Sequence, residues 1–156
     1  MKLLTFFVFV ATLLIGCRPV ADLEKEKTLL LEALESSRQA HFDTDIEKLL
    51  SDMGTEVISI RDANISKTTR ADAEQRFQVY FKDAKFREWD YISEPIIFIS
   101  DDATLAARIE HIKVDKYDTT GATPDVKFIY AGITILKREN GQWVRVANAT
   151  SIALAE

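Results

Sequence analysis

Residues 126–154 read VKFIYAGITILKRENGQWVRVANATSIAL, and this stretch decides the fold. In its first half, residues 126–138, the alternate positions Ile129, Ala131, Ile133 and Ile135 are all apolar. That period of two marks a strand with one uniform face. Asn140-Gly141 follows, a strong hairpin signal because both central residues of a type I′ turn need positive φ. A second strand then runs from Trp143 to about Leu154. Working back along the chain, DTTGATP at 118–124 is a turn cluster and residues 103–117 form another strand. EWDYISEPIIFI at 88–99 is a further strand, in which Pro95 implies an edge or a bulge.

Before residue 86 the apolar period is 3.6 rather than 2. Leu23, Leu30, Leu31 and Leu34 fall on one helical face, with Glu24, Lys25 and Glu26 elsewhere. After HFDTD, Asp43 or Thr44 can cap a short second helix carrying Ile46, Leu49, Leu50 and Met53, and Gly54 is expected to stop it. Val57–Ile60 is a short strand and Asp62–Asn64 a turn. Thr69 and Asp72 have capping-box spacing and open a helix through Ala73, Phe77, Tyr80, Phe81 and Ala84. The expected order is α-α-β-α-β-β-β-β, an α+β fold with helices packed on a long antiparallel sheet.

The chain has 156 residues, 47% hydrophobic and 29% charged, as a folded globular chain has. The net charge of −5 excludes a phosphate-tracking basic surface, so no nucleic-acid partner is expected. With two histidines far apart and one cysteine, no metal site is expected. There is no Gly-rich phosphate loop and no nucleophile elbow, so no cofactor is expected either.

Residues 1–16, MKLLTFFVFVATLLIG, place Lys2 before an apolar run that is too short for the ~20 residues of a spanning helix. We read them as a signal peptide; an uncleaved anchor or a buried helix are the alternatives. Leu14-Ile15-Gly16-Cys17 resembles the bacterial lipobox. The resemblance implies lipid transfer to the Cys17 sulfur, cleavage before Cys17 and acylation of the new amine. Two or more acyl chains hold a protein stably on a membrane. Arg18, standing where an Asp favours the inner membrane, points to an outer-membrane lipoprotein facing the periplasm. Residues 17–22 then form a lipidated tether, and residues 23–156 a single domain.

That domain resembles the nuclear transport factor two-like superfamily, the cone fold of ketosteroid isomerases and SnoaL-like polyketide cyclases. Leu30–Leu50, Val57–Phe81, Tyr91–Tyr117 and Ile133–Thr150 carry the likeness. The resemblance implies a strongly curved, cystatin-like sheet closing with the helices over a hollow, and often a homodimer through the open sheet face. It also shows where chemistry would sit. The first-strand positions for a carboxylate base hold Ile58 and Ser59. The helix position for a tyrosine falls near Glu35 or Ser36. The closing strand has Ala147, Asn148 and Ala149 where other members carry His or Asp. A hollow without a proton-accepting carboxylate is therefore expected, serving a non-catalytic small-ligand-binding or assembly domain.

An enzyme, a SnoaL-like isomerase, cyclase or dehydratase, is the alternative. His111 is its candidate base, following Leu105, Ala107 and Ile109 on one strand face, with Tyr130 as its candidate aid. Tyr80, His111, Tyr130 and Trp143 are the candidate ligand-binding residues, for a small and largely apolar ligand. Arg108 and Glu110 read as sheet surface, and His41 as a charge partner at a helix C-terminus. A structural envelope subunit that dimerises through its sheet is the third reading.

Overall fold

The Asn140-Gly141 turn, with φ of 50° and 81°, joins the two strands that organise the molecule, β6 (Val126–Glu139) and β7 (Gln142–Leu154). The structure is a computed structural model that describes residues 21–155; the lipobox, Cys17 and the tether before residue 21 lie outside the described residues. Helix α1 spans Leu23–Asp43, α2 Ile46–Leu49 and α3 Arg70–Phe81; the other strands are β1 (Met53–Arg61), β2 (Asn64–Thr69), β3 (Ala84–Tyr91), β4 (Ile96–Ile99) and β5 (Leu105–Asp118). The seven-stranded sheet runs β2-β1-β7-β6-β5-β3, with β4 also paired to β5. Helices pack on one side of this sheet, an α+β cone fold.

The local rules behind these elements are visible. Asp22 caps α1, its carboxylate accepting from the Lys25 N–H at 3.1 Å. Thr44 ends α1 in the left-handed region at φ 54°. Asp45, rather than Asp43 or Thr44, caps α2, because Thr44 is already committed to closing α1. Thr69 and Asp72 close a reciprocal capping box on α3.

Four expectations need correction. The order is α-α-β-β-α-β-β-β-β-β. NISKTT at 64–69 forms the edge strand β2, because Asp62 and Ala63 both take positive φ and fold the chain tightly back on β1. Pro95 divides the expected 88–99 strand into β3 and β4, since it cannot donate to a ladder. The sheet is not wholly antiparallel: β1 and β7 pair in parallel. Gly54 does not stop α2 but lies inside β1. A Cβ there would stand 3.0 Å from Val144 Cγ1 and 3.1 Å from the Arg145 carbonyl oxygen, so glycine lets β1 approach β7.

Two apolar clusters hold helices to sheet. Ala40, Leu49, Phe81, Phe86, Ile112 and Val114 form one; Leu30, Ala106 and Leu136, with Trp143 against them, form the other. Between them the inner face of the sheet is polar, and there the hollow lies.

Candidate functional site

The strand register sets what looks inward. On β5 the inner row is Ala106, Arg108, Glu110, Ile112 and Val114, and on β6 it is Phe128, Tyr130, Gly132, Thr134 and Leu136. On β7 Asn148, Thr150 and Ile152 face the same side, beside Ser59 and Arg61 of β1. Among the cavities over this face, two share walls and frame the hollow. The deeper one has a volume of about 140 Å³; Arg108, Glu110, Arg145, Tyr91 and His41 are among its walls. The outer one is about 510 Å³, walled mainly by Phe77, Tyr80, Trp89, Phe128 and Tyr130, with Arg61 and Arg76 also on its lining. His41, Phe77, Trp89, Tyr130 and Asn148 line both.

The deep cavity has a charged floor. The Asp52 carboxylate bridges two arginines, Arg108 Nη2 and Arg145 Nη2, each at 3.1 Å. Arg108 is only 4% exposed. Its Nε lies 3.9 Å from Glu110, and Arg108 Nε and Nη1 and Arg145 Nε have no hydrogen-bond partner. Burial raises the Glu110 carboxyl above its usual value; Arg108 works against that shift and Asp52 with it. A carboxyl biased in this way toward its neutral form can donate a hydrogen bond or take a proton. The hollow expected to lack such an acid therefore contains one. Arg108 and Glu110, read from sequence as sheet surface, are its floor, because β5 turns their row inward and hands Leu105, Ala107 and Ile109 to the outside.

His41 also departs from expectation. Its ring stacks on Trp89, centroids 3.7 Å apart at 21°, and Nδ1 lies 2.8 Å from the Ser37 carbonyl oxygen. Burial drives its pKa down to about 4, so it is a neutral ring at pH 7 rather than a charge partner. With Nδ1–H donating to the carbonyl, Nε2 is left as an acceptor. Tyr130 and Tyr80 are pushed up to about 12 by burial and stay protonated. Tyr130 lies over Gly132, where a Cβ would stand 2.5 Å from its hydroxyl; Gly132 in turn pairs with Glu110 across the ladder. Glycine thus makes the space through which Tyr130 leans across the floor.

Of the four candidate ligand-binding residues, Tyr80 and Tyr130 line the hollow. His111 does not: it belongs to the outward row of β5, opposite Ala131 and away from Arg108 and Glu110. Trp143 seals the second apolar cluster, its Nε1 donating to Glu26 at 2.8 Å, and lies in neither cavity lining. Ser59 and Asn148, positions noted for lacking an acid, meet inside the hollow, the Ser59 hydroxyl donating to Asn148 Oδ1 at 2.6 Å. Glu35 stays on the helix exterior, paired with Arg38 at 3.1 Å. Sequence reasoning missed Glu110, Arg108, Arg145 and Trp89. The available signal was the row Ala106-Arg108-Glu110-Ile112-Val114, two charges flanked by small or apolar residues at strand spacing.

No family model and no curated protein matches this chain. Solved structures do. An NTF2-like protein from Cytophaga hutchinsonii superposes with a TM-score of 0.62 at 17% identity, over 82% of this chain and 98% of that one. A conserved protein from Planctomyces limnophilus reaches 0.71 at 12% identity, over 85% and 99%. A ketosteroid isomerase-like protein from Erwinia carotovora atroseptica gives 0.61 at 10% identity, over 82% and 96%. At such identities the likeness defines a fold, and the fold is the NTF2-like cone expected from the sequence.

Proposed function

We propose that this protein is a lipid-anchored binding domain of the bacterial cell envelope that takes a small organic ligand into the hollow of its cone. The observation that carries the reading is the outer cavity: at about 510 Å³ it is within the ligand-pocket range, and it combines aromatic walls with a few polar groups. Anchoring rests on the sequence, through lipidation of Cys17 and an orientation toward the periplasm; none of the described helices is long and apolar enough to cross a membrane. Intact-mass spectrometry of the purified protein is expected to show an N-terminal acylated Cys17. A free thiol on an exported chain would remove the anchoring half of the proposal.

The binding half is tested by blocking the hollow. Asn148→Trp places a bulky ring where both cavities meet. It is expected to abolish ligand-induced thermal stabilisation in a screen of small organic molecules while the fold persists. Hits that stabilise the blocked variant equally would contradict it. An isomerase or cyclase using His111 draws no support from the geometry, since that ring stands across the sheet from the hollow.

A second reading, compatible with the first, is a homodimer through the outer sheet face. One row, Ile96-Ile109-Ile133-Ala149-Ile60-Ile65, crosses six strands, and a parallel row runs Phe98-Ala107-Ile135-Ala147-Ile58. Many of these side chains are exposed, Phe98 at 59% and Ile65 at 74%. Six strands at ~4.8 Å spacing span about 24 Å, the width of a standard interface patch. An apolar field of this kind can meet a second copy of itself across a two-fold axis. Light scattering of wild type against Ile133→Asp is expected to show a dimer and a monomer. A monomeric wild type at high concentration would sink it.

A further inference from the structure

We propose that the ligand of the outer cavity is an organic carboxylate, its acid group held by Arg61 and Arg76 and its apolar body lying against Trp89 and Phe77. This inference rests on the binding reading above and goes beyond it by naming the chemical class.

Asp and Glu outnumber Lys and Arg, 25 to 20, yet among the described residues no acidic side chain lines the outer cavity, while two arginines do. Neither Arg61 nor Arg76 forms an ion pair or a side-chain hydrogen bond among the described residues, although arginines elsewhere in the chain commonly do. They come from different elements, the end of β1 and the middle of α3, and reach the same space. Both guanidinium groups are exposed at the rim, and although Arg76 also feels Asp72 one turn before it on α3, the pair beside aromatic walls biases this end of the cavity toward positive potential. A planar fork of N–H donors matches a carboxylate with two parallel hydrogen bonds. The deep arginines do not compete for the same role. Arg108 and Arg145 already share Asp52. The charged head therefore belongs at the rim, and the floor meets the ligand's neutral or hydrogen-bonding end.

The test uses full-length lipidated protein in dodecyl maltoside micelles, with protein-free micelles as the blank. The probes are 2-naphthoate and its neutral isostere 2-naphthamide, titrated calorimetrically. Wild type is expected to bind the carboxylate about tenfold or more tightly than the amide, as hydrogen bonds to a charged group imply. The double substitution Arg61→Gln with Arg76→Gln is expected to remove that preference, so that carboxylate and amide bind alike, with the fold checked by its melting temperature. The preference is also expected to shrink as salt rises. Amide and carboxylate binding equally to wild type would overturn this inference while leaving the binding reading intact, as would a preference that survives the double substitution. Failure of both probes to bind would overturn the binding reading and this inference together.

Discussion

In the middle of the sheet both faces depart from the usual soluble pattern, although the inner face is apolar toward either end. The face turned toward the helices holds Arg108, Glu110, Tyr130, Thr134 and Asn148; the face turned outward holds isoleucines, alanines and a phenylalanine. Burying charges costs free energy unless they are paired, and exposing apolar rows forgoes burial. Under the proposed function the inner polar floor serves a ligand, and under the dimer reading the outer apolar field serves a second copy. The fold itself is held elsewhere, by the two apolar clusters at either end of the hollow.

The sharpest way to break this comparison is to remove Asp52, the one acid that bridges both floor arginines. Asp52→Ala leaves the buried Arg108 guanidinium and the half-buried Arg145 without their bridging acid and is expected to destabilise by about 3 kcal/mol in urea unfolding. A loss under 1 kcal/mol would mean the floor is solvated and the inner face ordinary.

The next effect is carried by His41. Its folded pKa, about 4, is below its unfolded value, so its contribution is present above pH 6.5 and is lost as pH falls toward 4. The loss is on the order of 3 kcal/mol. His41→Phe, which keeps the stack on Trp89, is expected to flatten that acid limb in melts followed across pH. Glu110 works with the opposite sign. Its raised folded pKa means stability is greatest below its ordinary value and is lost as pH rises through the folded one. Glu110→Gln is therefore expected to stabilise at neutral pH.

Gly132→Ala is expected to cost ~1 kcal/mol, since the new methyl displaces the Tyr130 ring, and to weaken ligand binding more than it weakens the fold. Smallest of all, Ile133→Thr on the outer face is expected to change monomer stability by no more than ~0.5 kcal/mol. A larger effect at Ile133 than at Gly132 would reverse the assignment of the two faces.

Much of this fold is legible in short-range chemistry. Asn140-Gly141 specifies its hairpin, Thr69 and Asp72 their capping box, and Pro95 its break, because each acts within a few residues. What is not legible is set by tertiary register. The alternation of Ile129, Ala131, Ile133 and Ile135 identifies a strand but not which side its helices cover, and the more apolar side turns out to face outward. Arg108 and Glu110 look like surface residues because charge is ordinarily solvated; Asp52, over fifty residues away in sequence, pairs with the buried Arg108, and Arg108 in turn favours the charge on Glu110. Residues 64–69 are short and polar, so β2 exists only because β1 offers an edge. His41 reads as a helix-end cation until Trp89 closes over it.

The chain has two tryptophans, which report on opposite sides of the account. Trp89 lines both cavities, whereas Trp143 is sealed in a cluster and bonded to Glu26. The most direct measurement follows both indole N–H signals by nuclear magnetic resonance while 2-naphthoate is added. The account predicts a saturable shift of the Trp89 signal with Trp143 unmoved; a shift at Trp143 alone, or at neither, would contradict it.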